Sequence, residues 1–288
     1  MNVMEAGKGK VYLLAGGGKI YSEAVAKFCR SEKSVEEIMA SPYVKEILNS
    51  LIESGHQAAL EFDDYIFGIE GYARVTEVQL VRKRHASYMI KSGTINKGGK
   101  RSYDVVIPNS IKKVSTIADI PMKNTYLKFD KGDSEQKLVP ISAVAMEYVM
   151  NHTQELVNHG YGGTAYSIIS AFDTMDLLSI LEQWYDNGVA MEVPENDLRY
   201  MKPQATEFKA AIKMNASGLY DWFQIRLCNR AQFEIRDLAW KMYWRLMEVH
   251  PDIFEKFGPK CKVLGYCPET EQCNEFKGVV PTKEQALA

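Results

Sequence analysis

The chain has 288 residues, 46% of them hydrophobic, 25% charged and 11% aromatic, which is ordinary globular composition and excludes a disordered or collagen-like chain. Thirty-five Lys and Arg against thirty-seven Asp and Glu give a net charge of −2. That balance excludes a nucleic-acid polymer held by bulk charge and leaves room for a local basic pocket around a small anion. The length fits one large domain or two small ones. No run approaches the roughly 18 uninterrupted apolar residues of a membrane span. Met1-Asn2-Val3-Met4-Glu5 has no basic flank leading into an apolar run, so no secretory signal is expected. Five cysteines, an odd number, fit reduced thiols. The expectation is a cytoplasmic protein without membrane partners.

In chain order, Val11-Tyr12-Leu13-Leu14 is a short apolar run ending in Ala15-Gly16-Gly17-Gly18-Lys19, and a helical pattern follows through Ala24, Val25 and Phe28. From Ser34 to Glu53 apolar residues recur at helical spacing, and Pro42 breaks the run into two expected helices ended by Gly55 and His56. At Tyr65 the period becomes two, predicting a strand to Tyr72 with both faces partly buried. Ala73 to Arg84 returns to helical composition, and residues 93–104 read as a loop. Val105–Pro108 and Tyr126–Phe129 read as short extended segments. Ile141–Asn158, Tyr166–Asp186 and Gly218–Glu248 carry amphipathic patterns of helix length. No repeat and no composition shift marks a linker. The reading is one α+β unit over residues 1–288, helix-rich in its second half.

Some signals are discounted. Gly16-Gly17-Gly18-Lys19 lacks the earlier Gly and the following Ser or Thr of a phosphate loop, so a plain turn is expected. Cys261, Cys267 and Cys273 are spaced more widely than zinc pairs, so no metal is expected even with His250 upstream. Cys228, beside Arg226 in a predicted helix, reads as a buried structural thiol. His152 and His159 read as surface helix residues.

Two segments carry chemistry. In Gln79-Leu80-Val81-Arg82-Lys83-Arg84-His85, cations and a histidine follow directly on an apolar helix, with hydroxyls at Ser87 and Ser92. If the helix continues, Gln79 and Arg82 share a face and Arg84 points elsewhere. Arginine suits bidentate phosphate contact, whereas the plainer reading is a solvated helix end complementing its dipole. In the second segment Leu219, Trp222, Arg226, Asn229 and Phe233 form one helical stripe in which Arg226 interrupts an apolar face. Such a charge needs a ligand or an internal partner, for example Glu234 or Asp221.

With Ser92 following seven residues after Arg82-Lys83-Arg84, the chain resembles the flavin-dependent thymidylate synthases, the ThyX family, whose pattern is Arg-His-Arg, seven residues, then Ser. Gly55-His56 with Glu61, Ile69–Arg74, Gln79-Leu80-Val81, Arg199 before Pro203, Met214-Asn215-Ala216, Arg226–Arg236 and Gly258–Cys261 resemble further family segments in the family's order. The resemblance implies a ThyX-like α+β fold with a central mixed or antiparallel sheet, assembled as a homotetramer that binds FAD and dUMP where subunits meet. It implies synthesis of dTMP from dUMP, with carbon from methylenetetrahydrofolate and reducing equivalents from NADPH. Gln79, Arg82, Ser92, Arg199 and Arg226 match positions that hold dUMP. Arg226 is the position set against the pyrimidine, and so the catalytic one. His56, Glu61, Arg82, Lys83, Arg84, Asn215 and Asn229 match positions around the flavin.

The sequence departs from the family at the signature. Lys83 replaces the central histidine, and Met89-Ile90 replace a polar pair whose Glu contacts the nucleotide. Thr94 and Ser217 replace arginines, and Ala58 replaces a small hydroxyl residue. One lost charged phosphate contact costs about 1.5–3 kcal/mol, or about ten- to a hundredfold in affinity. Lys91, Lys97, Lys100 and Arg101 lie near enough in sequence to supply a cation. Three readings stay open: dUMP methylation, methylation or hydroxymethylation of another pyrimidine nucleotide on the same fold, and a catalytically silent nucleotide- or flavin-binding protein.

Overall fold

The computed structural model describes residues 2–91, 103–112, 115–118, 125–131, 135–141, 167–270 and 273. Most of the expected loop over 93–104 and of the expected helix over 141–158, with Ser92, Thr94, Lys97, Lys100, Arg101, His152 and His159, lies outside the described residues. Tyr103 and Asp104 are in neither helix nor strand, whereas Ile141 ends a strand instead of starting a helix. Packing divides the chain into two compact units, residues 1–107 with 203–288 and residues 108–202. The second is inserted within the first, at junctions that no composition shift announces.

The first unit begins with β1 (Val3–Glu5), β2 (Lys10–Ala15), α1 (Ser22–Phe28), α2 (Val35–Ala40) and α3 (Lys45–Glu53). The predicted break at Pro42 is present. Ser34 caps α2 with a reciprocal Ser34–Glu37 box, and Gly55 follows α3 at φ +73°. A 3-10 turn over Gln57–Phe62 leads into β3 (Asp64–Ala73), then α4 (Arg74–Leu80), β4 (Ser87–Ile90) and β5 (Val105–Ile107). The second unit carries α5 (Asn109–Lys112), β6 (Ser115–Ala118), β7 (Thr125–Lys131), β8 (Glu135–Ile141), β9 (Ser167–Asp173), α6 (Thr174–Ala190) and α7 (Glu195–Leu198). The first unit resumes with β10 (Glu207–Asn215), α8 (Ala216–Arg226), α9 (Phe233–Val249), α10 (Pro251–Phe254) and α11 (Lys260–Leu264).

Instead of one central sheet, the described residues form antiparallel sheets of order β2-β3-β10-β4 and β6-β9-β7-β8, and a parallel pair β1-β5. The core of the first unit lies under its sheet. Tyr65, Phe67, Ile69 and Tyr72 of β3 and Phe208, Ile212 and Met214 of β10 meet Leu219 and Phe223 of α8 and Leu238, Met242 and Leu246 of α9. No helix among the described residues is long and apolar enough to cross a membrane.

Three expected elements are corrected. Tyr166–Asp186 is not one helix: Ser167–Asp173 is a strand, and α6 starts only where the Asp173 side chain accepts from the amides of Met175 and Asp176. Gly218–Glu248 is two helices, because the Gln232 side chain takes the amides of Glu234 and Ile235 and starts α9 afresh. The helix expected to Arg84 stops at Leu80.

The glycine-rich segment is a turn, as expected. Gly16 sits at φ +115°, and a Cβ there would lie 2.5 Å from Tyr65 Cδ1 and 2.7 Å from the Asp64 carbonyl. His250 locks this turn to the core. The Gly18 carbonyl, 2.7 Å away, can only accept, so Nε2 carries the proton and Nδ1 accepts from the Tyr65 hydroxyl, also at 2.7 Å. Burial raises the Tyr65 phenol well above its ordinary range, so it keeps the proton it donates. Both ring nitrogens are thereby used, which removes His250 as a metal ligand.

Candidate functional site

The site grows from the way α4 ends. A helix leaves its last carbonyls without intrahelical partners, and here those of Glu77, Gln79 and Leu80 are met by the residues that follow and by Arg226. The Val81 amide takes the Glu77 carbonyl. Arg226, at the end of α8, donates from Nη2 to the Gln79 carbonyl at 3.3 Å and from Nη1 to Gln79 Oε1 at 3.0 Å. The Leu80 carbonyl accepts from the Tyr88 hydroxyl at 2.9 Å and from the Lys83 amide at 3.3 Å.

Because α4 stops at Leu80, the expected i,i+3 face of Gln79 and Arg82 does not exist. Arg82, Lys83 and Arg84 instead form a turn between α4 and β4. Arg82 and Arg84 are exposed and have no acidic partner among the described residues. Lys83 is different: its ammonium lies 3.1 Å from Asp221 Oδ2 on α8 and is largely covered. The cation in the family's histidine position therefore ties the turn to the helix that carries Arg226. Close packing at Gly218 helps, since a Cβ there would stand 3.1 Å from Asn215 Oδ1 and 3.4 Å from the His85 carbonyl.

Arg226 has neither internal acid that its sequence context suggested. Asp221 is taken by Lys83, and Glu234 accepts from the Ala73 amide at 3.0 Å and the Thr76 hydroxyl at 2.7 Å. The guanidinium is instead held by a neutral amide and a carbonyl. Burial first, and then the charge of Arg82, pull it below its ordinary range. Its remaining N–H donors have no protein partner among the described residues. The apolar stripe that singled it out runs only to Arg226, since Asn229 lies in the turn after α8 and Phe233 opens α9. The Asn229 carbonyl accepts from Arg236 at 2.6 Å.

The remaining predicted positions fall as follows. His56 and Glu61 are exposed at the two ends of the 3-10 turn. Asn215 ends β10 and caps α8, its Oδ1 accepting from the Gly218 amide at 2.8 Å, which leaves its NH2 as a donor. Arg199 is exposed at the start of a short 3-10 turn in the second unit. Ser92 is outside the described residues. Of the departures, Met89 is 76% exposed on β4, whereas Ile90 packs toward the core opposite Ala210. Ile90 thus supplies a hydrophobic contact where the family's carboxylate would stand.

Arg226 also lines a cavity of about 200 Å³ with Gln224, Cys228, Arg230, Lys260 and Cys267. Cys228 is half-buried in the bend after α8, not within a helix. Cys261 is buried, and burial pushes its thiol up. All five cysteines are free thiols. No grouping of His, Cys, Asp and Glu among the described residues is able to hold a metal.

The features that sequence reasoning missed are β10, the hydroxyl of Tyr88, and the Lys83–Asp221 tie. The alternation Phe208, Ala210, Ile212, Met214 was a readable strand signal.

The family model described as "Thymidylate synthase complementing protein" matches residues 17–252. A flavin-dependent thymidylate synthase of Saccharolobus solfataricus is 32% identical over 251 residues, covering 85% of this chain and 74% of its own. The chain belongs to the flavin-dependent thymidylate synthase family. The enzyme of that name from Clostridium tetani is 32% identical over 257 residues, covering 85% of this chain and 84% of its own. Among solved structures, a UMP/dUMP methylase from Streptomyces cacaoi bound with 5-Br dUMP has a TM-score of 0.57 at 15% identity, over 92% of this chain and 98% of that one, a likeness of fold. Membership makes the chain an enzyme of the methyltransferase kind and implies a flavin cofactor. The donor set suits such a group: Arg82 and Arg84, which have no acidic partner among the described residues, and a desolvated Arg226, which meets no acid among them, are cations suited to an electron-rich or anionic partner.

Proposed function

We propose that the enzyme converts dUMP to dTMP, with methylenetetrahydrofolate as carbon donor and NADPH as reductant through FAD, acting in the cytoplasm as a homotetramer. The observation that carries this reading is Arg226, held at two points by Gln79 with no acid among the described residues to neutralise it. Laid against a pyrimidine carbonyl, its free N–H donors stabilise the negative charge that builds on the ring as C5 becomes nucleophilic. Gln79 fixes the direction of that cation before substrate arrives, so little reorganisation is needed. Arg82, with Ser92 and Arg199, takes the nucleotide, while His56, Glu61, Lys83, Arg84, Asn215 and Asn229 surround the flavin. When bound, the flavin supplies the hydride that completes the methyl group. An exposed stripe of Leu177, Ile180 and Trp184 on α6, at spacings of three and four, supports assembly with further copies.

A second reading rests on β4. With Met89 outward and Ile90 on the core, neither position offers a polar group to the nucleotide, which favours a pyrimidine nucleotide other than dUMP, methylated or hydroxymethylated. Purified protein separates the readings. A flavin absorbance perturbed by dUMP, with dTMP formed from methylenetetrahydrofolate and NADPH, upholds the first. A response only to another nucleotide, or a product heavier by one oxygen, upholds the second. Colourless protein that takes up no added FAD overturns both and leaves a silent binding protein.

A further inference from the structure

The geometry points to Tyr88 as a positioning residue: its hydroxyl staples the carbonyls of Leu80 and Lys83, and so fixes the direction in which the turn between them offers Arg82 to an anionic ligand. Tyr88 is not among the positions that the family resemblance carries. It sits on β4 opposite Ile212 of β10, with its ring packed against the core. Its hydroxyl is 2.9 Å from the Leu80 carbonyl and 2.8 Å from that of Lys83. Both carbonyls only accept and the hydroxyl has one proton, so a single donor is shared across the two ends of the turn. The only backbone bond closing the same turn, Lys83 amide to Leu80 carbonyl, is longer at 3.3 Å.

Arg82 makes this staple consequential. Lys83 is anchored at its tip by Asp221 and Arg226 by Gln79, but the Arg82 side chain has no protein partner among the described residues. Its direction is inherited from the backbone that carries it, and that backbone is held by Tyr88. Burial pushes the phenol up to about 12, so the donor persists through the neutral range. The nature of the ligand rests on the proposed function, whereas the staple itself does not.

The test compares Tyr88→Phe with Tyr72→Phe. Both keep the ring and lose a hydroxyl in the same sheet, but the Tyr72 hydroxyl serves Asp237 at 2.9 Å. The readouts are thermal midpoint, dUMP KM and kcat, and amide exchange of the peptide spanning Val81 to Arg84. Tyr72→Phe is expected to lower the midpoint at least as much as Tyr88→Phe, since its buried hydroxyl bonds a carboxylate and that of Tyr88 bonds neutral carbonyls. Tyr88→Phe alone is expected to raise KM about tenfold with kcat within about twofold, and to speed exchange in the turn. A wild-type KM in Tyr88→Phe, an equal rise in Tyr72→Phe, or unchanged turn exchange overturns the inference. Should wild-type protein neither bind nor turn over dUMP, the functional reading fails by itself, and the exchange comparison decides Tyr88: faster exchange upholds the staple and unchanged exchange overturns it.

Discussion

Replacing Gln79 by glutamate exchanges one NH2 for an oxygen and leaves the acceptor that meets Arg226 Nη1 at 3.0 Å in place. The side chain keeps its length and the backbone bond at 3.3 Å is untouched, so the change is one of charge. A hydrogen bond to an ionised partner is worth about 1.5–3 kcal/mol, roughly twice a neutral one. Arg226 would gain that in the free enzyme and have to surrender it to stabilise charge on a pyrimidine. The expected result is a protein no less stable than wild type whose kcat falls about ten- to a hundredfold, with a smaller change in KM. Thermal denaturation and single-turnover flavin oxidation with dUMP measure the two sides. A Gln79→Glu enzyme with wild-type kcat would refute the view that an unneutralised Arg226 drives the chemistry.

Other outcomes follow from the same structure. Glu77 is buried, its Oε2 has no hydrogen-bond partner among the described residues, and Arg74 lies 3.7 Å from the other oxygen. Burial raises its pKa above 4.5, so wild-type stability falls as pH rises through and beyond that value. Glu77→Gln is therefore expected to stabilise by about 1 kcal/mol at neutral pH, with the gain vanishing below the unfolded pKa; urea melts at several pH values check it. Asp221→Ala removes the acceptor of the Lys83 tie at a 57% exposed carboxylate, so stability should change by less than about 1 kcal/mol. Flavin affinity, read by absorbance titration, should weaken more than stability if the tie sets the turn. Gly16→Ala is expected to cost about 2–4 kcal/mol, seen in the urea midpoint, because it sets a Cβ against Tyr65 and the Asp64 carbonyl at positive φ.

Much of the fold was legible where one local rule dominates. The period-two run Tyr65–Tyr72 became β3, Pro42 separated two helices, and the glycines at 16–18 made a turn. Errors arose where side chains compete with the backbone. Gln232 and Asp173 start helices inside patterns that read as continuous, because a cap outweighs a smooth apolar period. At the site, residue types and order were readable, and so was the oddity of a cation on the apolar stripe of α8. Its partner was not, since Gln79 and Arg226 are 147 positions apart and meet only where the fold brings the end of α8 to the end of α4.

The sequence alone determined a near-neutral globular α+β chain with a basic cluster and the ordered segments of the flavin-dependent thymidylate synthase family. Periodicity, turn chemistry and residue order are local properties, so they survive without coordinates. Tertiary structure alone decided which cations are free. Lys83 is taken by Asp221, Glu234 is spent on the β3–α4 junction, and among the described residues Arg226 is met by a neutral amide and a carbonyl rather than by an acid. Charge availability depends on distance in space, and the near-zero net charge with which the chain is first met carries no trace of it.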